Sequence, residues 1–111
     1  MAIHKKEAFT QKEQDLAAFA KALAHPARIA ILKVLAQHNE CICGEIVEIL
    51  PLAQSTVSQH LKELKKAGLI NGTIDGPRSC YCINWKAFEN FNTAFSTLFT
   101  ALKIKNEKAC C

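Results

Sequence analysis

The stretch Leu52-Ala53-Gln54-Ser55-Thr56-Val57-Ser58-Gln59-His60-Leu61-Lys62-Glu63-Leu64-Lys65-Lys66-Ala67-Gly68-Leu69-Ile70 decides the fold. With Val57 at zero on a helical wheel, Leu61 and Leu64 fall within about 40° of it and make one apolar seam. Ser55, Gln59, Lys62 and Lys66 lie near the opposite pole, with Ser58 and Lys65 beside them. The spacing predicts a helix from about Gln54 to Ala67. Gly68 closes it in the position after the C-cap, where glycine is favoured because the backbone turns left-handed. His60, on the shoulder of the seam, reads as a packing or capping histidine rather than a ligand.

Upstream, Cys41-Ile42-Cys43-Gly44 is expected to open a short helix through Glu45-Ile46-Val47-Glu48-Ile49-Leu50, which Pro51 ends. Two helices joined by a turn of three or four residues make a helix-turn-helix. Downstream, Leu69–Ile74 and Ser79–Ile83 read as strands around the turn Asp75-Gly76-Pro77-Arg78, which adds a wing. Towards the N-terminus, Phe9, Leu16, Phe19, Ala20 and Leu23 recur as a helical stripe that Ala24-His25-Pro26 interrupts. Pro26 suits the first turn of a second helix with His25 near its cap, carrying Ile29, Leu32, Val34 and Leu35 and stopping near His38-Asn39. Asn84 caps a last helix with Phe88, Phe91, Phe95, Leu98, Phe99 and Leu102 on one arc. The fold class that follows is mainly α with a small β-hairpin, a winged helix-turn-helix domain spanning residues 1–111.

The chain's 111 residues suit one domain, and half of them are hydrophobic, enough for a packed core. The formal charge of +4 permits a polyanionic partner without demanding one. No apolar run approaches the ~20 residues that span a bilayer, and Met1–Lys6 lead into no apolar signal segment. A cytoplasmic protein with no membrane partner is expected, and its six cysteines then read as reduced thiols rather than a secreted disulfide framework. No phosphate loop, paired carboxylates or Cys–His dyad can be read, so an enzyme is not expected.

The polar pole of the 54–67 helix has the layout of a DNA-reading helix. Short donors and amides at its N-terminal turns reach base edges, while lysines further along meet phosphates. Gln59 is the leading candidate base reader, since glutamine pairs bidentately with adenine; Gln54, Ser55, Thr56 and Ser58 follow. Lys62, Lys66 and the wing residue Arg78 are assigned to phosphates. Double-stranded DNA is the expected partner.

Cys41 and Cys43, at the expected helix start, would sit among free N–H groups that favour thiolates. In a regular helix, residues two apart point about 200° apart. Holding one ion through both would therefore distort the helix start and displace the attached reading helix. Two thiolates leave a soft-ion shell incomplete, because trigonal As(III) takes three and tetrahedral Zn(II) or Cd(II) takes four. Cys110-Cys111 are the expected supply, while Cys80 and Cys82, on one face of a wing strand, read first as wing residues. No permanently bound cofactor is expected; the ion is an inducer. The same six cysteines also allow a repressor that responds to thiol oxidation or persulfide bridging.

Two stretches carry a family resemblance. Ala22-Leu23-Ala24-His25-Pro26-Ala27-Arg28-Ile29-Ala30-Ile31-Leu32 and the 52–70 segment resemble the first helices and the recognition helix of the ArsR/SmtB metalloregulatory repressors. The resemblance covers about residues 16–90. It implies a homodimer on a palindromic operator, paired through its first and last helices. The wheel argues for pairing independently, because the two aromatic stripes exceed what a three-helix winged core covers. Glu40-Cys41-Ile42-Cys43-Gly44-Glu45 resembles the Cys-x-Cys site of the family's arsenic, antimony, cadmium and lead sensors, so As(III), Cd(II), Pb(II) or Zn(II) is the implied inducer. No third cysteine lies one turn on, and the last helix lacks the ligands of the family's zinc- and nickel-type site. Ala53 also departs from the family pattern, in which a serine often caps the recognition helix.

Overall fold

The computed structural model describes residues 8–37, 42–43, 50–75 and 78–108. In chain order they form α1 (Gln11–Leu23), α2 (Pro26–Ala36), β1 (Ile42–Cys43), α3 (Gln54–Lys66), β2 (Ile70–Asp75), β3 (Arg78–Ile83) and α4 (Trp85–Lys108). The mostly helical winged architecture matches the sequence expectation. Residues 45–49 of the expected short helix, the residues Cys41, Cys110 and Cys111, and the wing tip at 76–77 lie outside the described residues.

Each helix starts where local chemistry satisfies its free N–H groups. Thr10 Oγ1 accepts from Glu13 N at 3.1 Å while Thr10 N donates to Glu13 Oε1 at 2.9 Å, a reciprocal cap on α1. Pro26 opens α2, and His25 caps it by accepting from Ala27 N through Nδ1 at 3.0 Å. Helix α3 starts after Ala53 with no side-chain cap, so Ser55 does not take the role of the serine missing at position 53. Its other end is closed by Gly68, whose φ of 81° is the left-handed turn the sequence predicts.

The sheet corrects one expectation. It has three strands in the order β1-β3-β2, with both pairs antiparallel. Ile42 and Cys43 form its outer strand, in register with Tyr81 and Cys80, and so do not open a helix. The reason is the edge left by a bare hairpin. With β2 on one side, β3 carries a second row of unpaired backbone groups, and a β-branched residue beside a cysteine is well suited to cover it.

The core lies where α2, α3 and the sheet meet. Ile31, Leu32 and Leu35 of α2 pack with Val57, Leu61 and Leu64 of α3, Leu69, Ile70 and Tyr81. Ile31, Val57, Leu64 and Leu69 have no accessible surface, so each contributes roughly 1.5–3 kcal/mol of apolar burial. Helix α4 packs against α1 through Phe91, whose ring meets that of Phe19 edge-on at 5.2 Å. Beyond Phe91 the stripe runs out of cover. Phe95 and Phe99 stack on each other at 5.3 Å, and Leu98, Phe99 and Leu102 are exposed.

Candidate nucleic-acid interface and cysteine site

Helix α3 is fixed from its buried side. Val57, Leu61 and Leu64 anchor it, and His60 sits among them, buried as the wheel implies. Arg28 Nε donates to His60 Nδ1 at 3.2 Å, and Arg28 Nη1 donates to the Ala22 carbonyl at 3.1 Å. One guanidinium thus ties the end of α1, the start of α2 and the middle of α3 together. The His25 ring lies 4.3 Å from that of His60. Burial, then the nearby His25 and Arg28 charges, hold the His60 pKa below its ordinary value. The sequence marks His60 as a packing residue but gives no sign of Arg28 as its partner.

The opposite face is open. Gln54, Ser55, Thr56, Gln59, Lys62, Lys65 and Lys66 are exposed, while Ser58 is half-buried. Of the candidate base readers, Gln59 is therefore as free to reach outward as Gln54, Ser55 and Thr56, and freer than Ser58. Three lysines against the single carboxylate of Glu63 give the helix a positive C-terminal half. Arg78 is the first residue of β3, in register with Asp75 across the wing.

The C-terminal end of α3 is bolted to α4 by one residue. Asn84 Nδ2 donates to the Gly68 carbonyl at 2.9 Å, and Asn84 N donates to the Leu69 carbonyl at 3.0 Å. Asn84 Oδ1 meanwhile accepts from Ala87 N at 3.3 Å and caps α4, as the sequence predicts. The donor side of Asn84 had no sequence signal.

Among the cysteines, the structure brings together positions the sequence kept apart. Cys43 on β1 stands opposite Cys80 on β3. Cys80 and Cys82 lie two apart on β3, half-buried on the face turned away from the buried Tyr81, and both are disulfide-bonded. Among the described residues no three metal-ligating side chains are gathered into a site. Cys43 occupies a strand and so does not sit at the helix start that the sequence reading expected.

Comparison with known proteins agrees with this geometry. The family model described as bacterial regulatory protein, arsR family, matches residues 25–72, from the cap of α2 through α3 into β2. The chain is 33% identical over 90 residues to the HTH-type transcriptional regulator YgaV of Escherichia coli, covering 81% of this chain and 84% of that protein. It is 44% identical over 61 residues to the HTH-type transcriptional repressor SmtB of Mycobacterium tuberculosis, covering 55% of this chain and 44% of that one. Its fold superposes on an ArsR-like transcriptional regulator from Rhodococcus sp. RHA1 with a TM-score of 0.75, over 89% of this chain and 92% of that chain, at 17% identity. No helix among the described residues is long and apolar enough to cross a membrane. With its reading helix, wing and matched segment in one place, this chain belongs to the ArsR family of bacterial transcriptional regulators.

Proposed function

We propose that the protein is a cytoplasmic homodimeric repressor that holds a palindromic operator through α3 and lets go when a thiophilic metal or metalloid ion binds its cysteines. The observation that carries the DNA half is the split of α3. One face is locked into the core through Val57, Leu61, Leu64 and the Arg28–His60 hydrogen bond, and the other presents Gln59 and three lysines with no fold-making task. A rigid helix with an unoccupied polar face matches the requirement for major-groove readout. Pairing of two copies is supported by the uncovered Leu98, Phe99 and Leu102 on α4.

For the sensing half, Cys41 and Cys43 are the primary ligands, with As(III), Cd(II), Pb(II) or Zn(II) as inducer. The sequence supplies Cys110 and Cys111 as further sulfurs. The all-sulfur donor set suits soft ions and excludes hard, oxygen-seeking ones. Ligand and operator then oppose each other reciprocally, with a coupling of about 1–3 kcal/mol.

The test is fluorescence anisotropy on an operator selected from random duplexes, with reduced protein. Gln59→Ala is expected to cost roughly 1–3 kcal/mol at the selected site and to relax preference at one position. Lys62→Ala weakens all sequences alike and lowers the salt slope by about 1. Cys41→Ser and Cys43→Ser each keep operator binding but lose release by the ion. Unchanged operator affinity and preference in Gln59→Ala would remove α3 from the role of reader.

A second reading, of a repressor released by thiol oxidation, is favoured by the disulfide-bonded state of Cys80 and Cys82. Forming each disulfide removes two protons and two electrons, which a peroxide accepts as it is reduced to water. Operator release by peroxide, reversed by a dithiol and insensitive to metal ions, would select this reading over the first.

A further inference from the structure

The function above leaves His25 and His60 with no part in holding or releasing DNA. The fold brings their rings to within 4.3 Å of each other and uses both in the same way. His25 Nδ1 accepts from Ala27 N at 3.0 Å and caps α2. His60 Nδ1 accepts from Arg28 Nε at 3.2 Å and ties α3 to α2. A ring nitrogen that accepts carries no proton, so the bonded pair is two neutral imidazoles. An added proton must go to one Nδ1, where it turns an acceptor into a donor that faces an N–H. It also sets a cation beside the Arg28 guanidinium and the other ring. The surroundings give that charge little relief. Lys21 of α1, His25 and Arg28 of α2, and Glu63 and Lys66 of α3 line one cavity of about 500 Å³ next to the pair. Three cations there stand against one carboxylate, and β2 meets α3 through the apolar Ile70. Burial, then the His25 and Arg28 charges, lower the His60 pKa accordingly. The bond at risk is next to the reading surface, since His60 directly follows Gln59 on α3.

We propose that the His25–Arg28–His60 cluster positions α3 for operator reading only while both imidazoles are neutral, so that acid releases the operator. The inference rests on the DNA half of the function above and adds the proton as an effector independent of the cysteines. The operator-holding state keeps the His60 pKa under the ordinary value of about 6.5. Operator affinity is therefore intact above that pH and falls as pH drops towards the lowered value, with protons released when the operator binds. Plain electrostatics works in the opposite direction. Histidines that charge near phosphates strengthen binding to any duplex in acid and take up protons as it binds.

The experiment follows anisotropy of the full, reduced chain on its selected operator and on a scrambled duplex, at about pH 7.5 and about pH 5.5 in one salt concentration. Wild-type preference for the operator should fall about tenfold or more in acid, because each copy in a dimer takes up a proton. Far-UV circular dichroism should stay unchanged over the same range. His25→Asn/His60→Gln keeps an acceptor at both positions and titrates at neither, so its preference should change less than about twofold between the two pH values, whatever its starting affinity. Calorimetry of the wild type near pH 6, in two buffers of different ionisation heat, counts protons without need of a variant and should show their release on operator binding. Proton uptake, an operator preference equal at both pH values, a double variant as acid-sensitive as the wild type, or helix loss in step with affinity would each overturn the proposal and leave the operator function standing. If no duplex is preferred at about pH 7.5, both fail.

Discussion

Gly72→Ala offers a sharp test of how the wing is attached. Gly72 lies opposite Tyr81 in the β2–β3 register. A Cβ added there would stand 2.5 Å from Tyr81 Cδ1, 2.8 Å from Cε1 and 3.3 Å from the Cys80 carbonyl oxygen. Carbon atoms in contact sit about 3.5–4.0 Å apart, so the ring must retreat by about 1 Å. It has nowhere to go, because Tyr81 is buried within the main core. Overpacking of this kind costs about 1–3 kcal/mol, offset by roughly 0.5–1 kcal/mol from replacing glycine inside a strand. A net loss of about 1–2 kcal/mol is expected. In a Tyr81→Leu background the ring is gone, so the same substitution should be neutral or slightly stabilising, giving a coupling of about 2 kcal/mol. Urea unfolding followed by circular dichroism at one fixed protein concentration measures all four corners of the cycle. An equal effect of Gly72→Ala in both backgrounds would refute the Tyr81 contact as the cause.

Two further expectations follow from the packing. The His60 pKa is lowered in the fold, so the unfolded chain takes up a proton first as pH falls. Stability should therefore be intact above about 6.5, decline as pH drops towards the folded-state pKa, and level off below it; His60→Leu should flatten this part of a thermal-melt profile, and an unchanged slope would remove His60 as its source. On α4, Phe99→Glu alters a side chain already exposed in the single chain, so the fold should survive. Sedimentation at micromolar concentration should show wild-type dimers and variant monomers, the dissociation constant rising at least a hundredfold, and a variant that stays dimeric would place the pairing surface elsewhere.

Much of this architecture was legible because it rests on local chemistry. The Val57–Leu61–Leu64 seam, Gly68 after α3, Pro26 at the start of α2 and the turn between two β-prone runs each carry their own signal. Thr10-Gln11-Lys12-Glu13 carried one too, a reciprocal cap readable from spacing alone. Strand β1 was not legible. Two residues have no period, and the reason Ile42–Cys43 is extended lies in the distant partners Tyr81 and Cys80, at the edge of β3. The meeting of Cys43 with Cys80 was hidden for the same cause: a register is a tertiary fact. The Arg28–His60 and Asn84–Gly68 hydrogen bonds likewise join side chains to partners that no sequence window contains.

The two hydrogen bonds from Asn84 to Gly68 and Leu69 close the wing at its base, so the hairpin is an excursion hung from a clamp. The reading helix is thus tied to the start of the last helix through the clamp, and it packs against Ile70 and Tyr81 at the base of the wing. Helix α4 has 24 residues and so runs about 36 Å, close to the roughly 34 Å between half-sites one turn apart on DNA. In a dimer joined along α4, a few degrees of scissoring between the two long helices would act at the far end of such an arm. The pair of reading helices would then fall out of step with the groove without either one unfolding.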